Sequence, residues 1–198
     1  MRSAGIASVH CDIKPENILL DDSFVPKVAD FGLAKLIAGR ELSRVLTTAR
    51  GTVGYIAPEW IAGTAITAKV DVFSYGMTLF EIVSGRRNVQ RKQQQADGGG
   101  AVEVFPLLAA RKLVDGDEMS AVVDSRLCGE ADLAEVERAC RVACWCIQDD
   151  ENARPTMATV VQVLEGLVQI NVPPVPRSLQ LLTDQPNYQY FFSDLPSK

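Results

Sequence analysis

Asp12, Lys14 and Asn17 lie within six residues of one another in the stretch VHCDIKPENILL, residues 9–20, and Asp30 follows, leading Asp30-Phe31-Gly32. Each type has a job in phosphoryl transfer. That reaction needs a carboxylate to accept or orient a hydroxyl proton, a cation beside the moving group, and hard oxygen ligands for magnesium. Asp12 suits the first, Lys14 the second, and Asn17 with Asp30 the third. Pro15 stiffens the loop between them, and Gly32 lets the backbone turn after Asp30.

These residues work together only if the chain folds back on itself. ILL at 18–20 and VPKVA at 25–29 are β-prone runs either side of the turn-rich Asp21-Asp22-Ser23. A hairpin there carries Asp30 towards Asn17, and it makes Asp21 and Asp22 turn residues rather than ligands. Residues 36–66 are rich in Thr, Gly and Ala without a sustained period, the pattern of a long functional loop. Thr67 then reads as a helix N-cap and Gly85 as a stop. The segment between is apolar on most faces and predicts a helix in the middle of a core.

Further on, RRNVQRKQQQADGGGA at 86–101 reads as an exposed loop. Leu133, Val136, Cys140, Ala143, Cys144 and Ile147 form one apolar stripe at helical spacing. Val160, Val161, Leu164, Leu167 and Val168 form another after a Thr156 cap. From Val172 the prolines of PPVPRS predict extended chain. The cluster of Tyr188, Tyr190, Phe191 and Phe192 either docks on the body or forms a loose tail. The expectation is a mainly helical protein with a little β-hairpin at the front, in two parts: 1–170 and a Pro-rich, aromatic tail at 171–198.

The chain has 198 residues, 47% hydrophobic and 23% charged, with a formal net charge of -5. This is globular composition, enough for one domain with a real core. No cationic excess is present to neutralise phosphates, which argues against a general nucleic-acid binder. Five cysteines in an odd, clustered arrangement do not suggest a secreted disulfide framework. Cys140, Cys144 and Cys146 read as small core residues of a helix rather than zinc ligands. No apolar run has the length and freedom from charge of a signal peptide or membrane span.

HCDIKPEN at 10–17, DFG at 30–32 and APE at 57–59, in that order, resemble the catalytic loop, magnesium loop and end of the activation segment of protein kinases. GTVGYIAPEW, DVFSYGMTLFEIVSGRRN and ARPTM extend the likeness over residues 9–170 to plant receptor-like kinases, most of all the S-domain, or G-type lectin, type. The resemblance implies a protein-kinase-like C-terminal lobe, ATP and magnesium as cofactors, and serine or threonine hydroxyls of protein substrates as acceptors. It implies that Asp12 is the catalytic base or hydroxyl-orienting residue, Lys14 contacts the γ-phosphate, and Asn17 and Asp30 hold magnesium. Thr52, Gly54 and Tyr55 would position the acceptor peptide. Glu59 would pair with Arg154, Asp71 would hold the catalytic-loop backbone, and His10, Phe31 and Gly32 would be structural. Ser43, Thr47 and Thr48 are candidate phosphosites.

Two departures stand out. The family's His-Arg-Asp here reads His10-Cys11-Asp12, so a neutral thiol replaces the arginine that pairs with an activation-loop phosphate in many kinases. Ahead of Val9 there is no Gly-rich loop, strand lysine or partner glutamate, and GGG at 98–100 is no substitute. The smaller lobe is therefore expected to be absent and the nucleotide pocket half open. Loss of the preceding helices is also expected to uncover part of the apolar 68–84 helix and leave a sticky chain. Two readings follow: a serine/threonine kinase, or a non-catalytic lobe that binds protein substrates or partner kinases through its activation segment and residues 102–127. A variant of the second is an incomplete gene product. The implied location is cytoplasmic, on the inner side of the plasma membrane if a membrane span lies upstream.

Overall fold

The computed structural model describes residues 6–38, 51–64, 66–91, 102–127 and 129–184. Strand β1 (Ile6–Val9) leads into the Asp12 loop, which closes with a single 3-10 turn at Pro15–Asn17. Strands β2 (Ile18–Leu20) and β3 (Pro26–Val28) pair antiparallel, with Ile18 opposite Val28 and Leu20 opposite Pro26. The turn is built by Asp21, whose Oδ1 accepts the N–H groups of Ser23 and Val25 at 2.9 and 3.0 Å.

The stretch expected as one loop from 36 to 66 contains regular structure. Strand β4 (Lys35–Ala38) returns to pair antiparallel with β1, Val9 opposite Lys35. Pro58 opens the short helix α1 (Pro58–Ile61), its fixed φ suited to a first turn. Four-residue elements are too short to leave a period in the sequence, and β4 owes its form to a distant partner.

Helix α2 (Lys69–Ser84) is the centre of the body, packed against helices α3 (Phe105–Asp115) and α4 (Leu133–Cys146). It starts one residue later than expected, with Ala68 at the cap position, though Thr67 Oγ1 still accepts the Lys69 N–H at 3.2 Å. Gly85 ends it with φ of 63°, its N–H returning to Glu81 O at 2.8 Å. Between α2 and α3, strand β5 (Val89–Arg91), within the stretch 86–101 that read as a loop, pairs antiparallel with β6 (Val102–Val104) just beyond it. Helix α4 is capped by Asp132 and buries Cys140, Val142, Ala143, Cys144, Cys146 and Ile147; Leu133 is exposed.

Helix α5 (Met157–Leu164) is capped by Thr156, whose Oγ1 accepts the Thr159 N–H at 3.2 Å. Its buried face is Val160 and Val163, not the longer stripe read from the sequence. The chain leaves the helix at Gly166, φ 76°, so Leu167 and Val168 lie beyond it and are exposed. The segment from Val172 is extended only as far as its prolines reach. Helix α6 (Arg177–Asp184) follows, its first N–H, that of Arg177, held at 2.7 Å by the Asp149 carboxylate, and Leu179 enters the core. The Tyr188 to Phe192 cluster lies outside the described residues.

The expected bare face on α2 is not found. Val70, Val72, Phe73, Met77, Leu79 and Phe80 are all buried, and Ile82 is the large apolar side chain that α2 exposes. Near the Asp12 loop, a cluster of uncovered apolar side chains lies on the hairpin instead: Leu19, Leu20, Phe24, Val25 and Val28, together with Phe31. α3, α4 and the loops around them enclose α2, whereas no helix among the described residues packs on the exposed face of this two-stranded hairpin.

Candidate active site

The loop after β1 is fixed from below. Val9 is fully buried, and the Asp71 carboxylate, in the first turn of α2, accepts the N–H groups of His10 and Cys11 at 2.7 and 2.8 Å. Cys11 has φ of 70°, an uncommon left-handed conformation for a non-glycine residue. Its thiol turns into the core towards Val9 O, and burial, then the charge of Asp71, pushes its pKa up to about 12. This thiol is inert packing rather than a nucleophile.

His10 is used up by structure. Its Nδ1 accepts the Asp12 N–H at 3.2 Å, which leaves Nε2 to donate to Ala29 O at 2.9 Å. Its ring meets Phe31 edge-on, centroids 4.9 Å apart. Both nitrogens are engaged, so the imidazole is a strut between the Asp12 loop and the start of the Asp30 turn.

Above it, four side chains form one network. Thr52 Oγ1 donates to Asp12 Oδ1 at 2.7 Å and accepts from Lys14 Nζ at 2.6 Å. Lys14 Nζ also pairs with Asp12 Oδ2 at 3.0 Å. Asn17 Nδ2 donates to the Asp12 backbone oxygen at 2.8 Å and to Oδ2 at 3.1 Å. Burial pushes the Asp12 pKa up, but the hydrogen bonds from Thr52, Lys14 and Asn17 together hold it below the usual carboxylate range. Asp12 is therefore an ionised carboxylate at neutral pH, oriented on both oxygens.

The β2–β3 hairpin carries Asp30 to this loop: Ala29 N–H donates to Asn17 O at 2.8 Å. Asp30 adopts φ of 57° and caps the next turn, its Oδ1 accepting the Gly32 N–H at 3.2 Å. A Cβ on Gly32 would lie 3.0 Å from that same oxygen, tighter than such contacts normally are. The Asp30 carboxylate is exposed, and a second oxygen remains to face a ligand.

Farther off, Arg154 forks onto Glu59 with Nη1 and Nη2 at 2.6 and 2.7 Å from its two oxygens. The Arg154 side chain is fully buried and also donates to the carbonyls of Gln148 and Lys69. Gly54 has φ of 92°, and Tyr55 is buried, its carbonyl accepting from Ser74 Oγ at 2.8 Å. Ser43, Thr47 and Thr48 lie outside the described residues. Sequence reasoning missed Glu16 and Arg87, which meet beside Tyr55; Glu16 sat in the quoted motif and Arg87 in what read as an exposed loop.

Residues 3–164 match the family model for the protein kinase domain. The chain belongs to the protein kinase family. A G-type lectin S-receptor-like serine/threonine-protein kinase of Arabidopsis thaliana is 61% identical over 175 residues, covering 88% of this chain and 20% of that protein. A second from the same plant is 54% identical over 187 residues, 91% of this chain and 23% of the relative. One from Oryza sativa subsp. indica is 42% identical over 174 residues, 86% and 20%. The chain thus spans about a fifth of the length of these relatives.

The donor set around Asp12 bears on whether magnesium and ATP fit here. Asn17 and Asp30 offer an amide oxygen and a carboxylate, hard donors on adjoining turns. No group of three or more His, Cys, Asp or Glu among the described residues is placed to cage a metal. Magnesium is normally held by one or two carboxylates plus phosphate oxygens and water. Lys14, with side chain 18% exposed, provides a cation at the rim. The residues fit the group. Among the described residues, no helix is long and apolar enough to cross a membrane.

Proposed function

We propose that this chain is the C-terminal lobe of a receptor-like serine/threonine kinase, in which Asp12 orients the acceptor hydroxyl and takes its proton. The observation that carries this reading is the Asp12–Thr52–Lys14–Asn17 network, which keeps an ionised carboxylate aimed and hydrogen-bonded on both oxygens. Magnesium-ATP, when bound, supplies the γ-phosphoryl group and neutralises its charge. Asn17 and Asp30 are the residues to hold the metal. Lys14 places its charge next to the transferring group, and Thr52 relays its position to Asp12. Thr52, Gly54 and Tyr55 shape the acceptor's seat, with serine or threonine hydroxyls of proteins as substrates.

The apolar face of the hairpin bears on the chain in isolation. Leu19, Leu20 and Phe31, beside the Asp30 turn, are each more than half exposed, and water must leave such a site before charges there act at full strength. This favours, as a second reading, a lobe that binds a partner protein when nothing covers that face. In a full-length receptor-like kinase the lobe would sit on the cytoplasmic side of the plasma membrane.

Calorimetric titration of the purified chain with magnesium-ATP tests the proposal, with Asp30→Asn as the control. Binding that vanishes in the variant supports it. No binding by a folded chain removes the catalytic reading and leaves the partner-binding one.

A further inference from the structure

The apolar surface left uncovered near the Asp12 loop has a second part, on α2. Ile82 is 63% exposed and lines a cleft of about 280 Å³ together with Pro15, Glu81, Gly85, Arg86 and Arg87. Pro15 opens the turn that leads straight into β2, so the cleft lies at the foot of the hairpin. Ile18, Leu20 and Val28 share one face of that hairpin, because side chains alternate along a strand and Ile18 stands opposite Val28. Leu20 and Val28 are both exposed. Apolar side chains exposed in a cluster, unlike those scattered singly, mark an interaction face.

The hairpin also offers backbone. The Asp21 N–H donates to Val25 O at 3.1 Å, and the Ala29 N–H donates to Asn17 O at 2.8 Å. Bonded and non-bonded pairs alternate along an antiparallel ladder, so Leu19 with Lys27 is the bonded pair between these two. The N–H and C=O of Leu20 therefore point away from β3. The outer side of β2 is an edge to which an extended segment can add. The opposite edge, on β3, lacks a donor at Pro26. The seat suits an extended segment that lays alternate apolar side chains towards α2.

Such a segment follows α6. Tyr188, Tyr190 and Phe192 stand at alternate positions in the stretch 185–198, with Phe191 between the last two. On an extended chain the three share one side. The segment also starts close by. α6 packs against β6, β6 pairs with β5, and β5 begins two residues after Arg87, which lines the cleft and pairs with Glu16. From Asp184, extended chain reaches about 13 Å by residue 188 and about 26 Å by residue 192, several strand spacings of about 4.8 Å. Asp194 comes next, opposite in sign to Arg86 at the cleft rim.

We propose that the aromatic segment 188–192 of this same chain seats along the outer edge of β2 and in the cleft beside Ile82, as an internal cover for the apolar surface between the hairpin and α2. Phe24, at the hairpin turn, is left outside it. A partner protein that binds this face must first displace the cover. The inference involves no residue of the Asp12 network and no nucleotide, so it stands or falls apart from the kinase reading.

A fluorescein-labelled peptide of residues 185–198, titrated with the whole chain and read by anisotropy, tests this. The wild-type chain is expected to bind it weakly, because its own segment already holds the seat. A chain carrying Tyr188→Ser, Tyr190→Ser, Phe191→Ser and Phe192→Ser together is expected to bind it on the order of tenfold more tightly. That is the ratio of an effective concentration of about 1 mM for the tethered segment to a Kd of about 0.1 mM for the free one. Adding Ile82→Asp to the serine variant is expected to abolish the binding. Circular dichroism establishes that each variant is folded; should Ile82→Asp unfold, Ile82→Gln replaces it and is expected to weaken the binding. Equal binding by the wild-type chain and the serine variant, or binding by neither, overturns the proposal. Binding that ignores Ile82 places the seat elsewhere and overturns it too. Sedimentation velocity is expected to show a wild-type monomer. A wild-type dimer that the serine variant loses would make a second copy's segment the occupant, which also overturns the proposal.

Discussion

Asp71 grips the backbone N–H groups of His10 and Cys11, 61 and 60 residues earlier in the chain, at 2.7 and 2.8 Å. This clasp ties the Asp12 loop to the central helix. It also explains how Cys11 is held at φ 70° without a glycine: two charge-assisted bonds over-determine the turn.

Asp71→Asn therefore puts an amide N–H where an acceptor is required. The loss is expected to be about 2–4 kcal/mol of folding stability, since bonds to charged acceptors are the strong ones and one backbone donor is left unmatched. Urea denaturation measures it. Hydrogen exchange at His10 and Cys11 should speed up more than exchange in α4. Unchanged exchange there would mean that the loop holds its shape without Asp71.

Gly76 gives a case in which two effects oppose. Alanine is the better helix former by about 1 kcal/mol. A Cβ at Gly76 would lie 2.7 Å from Cys146 Cβ, 2.8 Å from Ile147 Cγ2 and 2.9 Å from Ala143 O, all on α4 or its end. Backbone and β-carbons cannot swing away, so the overpacking cost wins. Gly76→Ala is expected to lose about 1–3 kcal/mol net in the same assay. A gain in stability would show that α2 and α4 stand farther apart than the structure has them.

The motif residues were legible in the sequence because the chemistry dictates their type. A carboxylate, an ammonium, an amide and a second carboxylate in that order leave few alternatives, and the hairpin that unites them has a local turn signal in Asp21. Thr156 and Gly85 were legible for the same reason, since caps and stops are local. What could not be read was non-local. β4 is a strand because β1 lies beside it. α6 starts where Asp149 accepts two backbone N–H groups, across a gap of 28 and 29 residues. The Arg87 cluster was hidden because a basic run reads as solvated until its partners are seen. Apolar residues of the hairpin signalled a strand pair, but the sequence carried no sign that this face would lie open while α2 was enclosed.

Phe24 makes that open face testable. Its ring is 80% exposed, and its φ is 59° in the hairpin turn. Asparagine tolerates this conformation far better than phenylalanine, and removing the ring uncovers no core. Phe24→Asn is expected to raise stability by about 0.5–1 kcal/mol and to lower the fluorescence of an apolar dye bound to the native chain. Melting in the presence and absence of dye reads both. A drop in stability would mean that the ring packs against something in solution.

The Asp12 network sets the response to acid. Its carboxyl pKa is depressed in the folded chain, because the bonds from Thr52, Lys14 and Asn17 outweigh burial. The unfolded chain then binds more protons in the window from the ordinary Asp value, about 3.9, down to the depressed one. Stability from this group is fully present above that window and is lost as pH falls through it. Asp71 runs the other way: burial raises its pKa in spite of the two backbone donors, so its ionisation costs stability as pH rises past the ordinary value. The two are separable by substitution. Between about pH 5 and pH 3 the wild-type melting midpoint is expected to fall more steeply than that of Asp12→Asn, whatever the offset between them at neutral pH. Parallel curves would show that Asp12 titrates alike in the folded and unfolded chains, and that its three hydrogen bonds do not favour the ionised form.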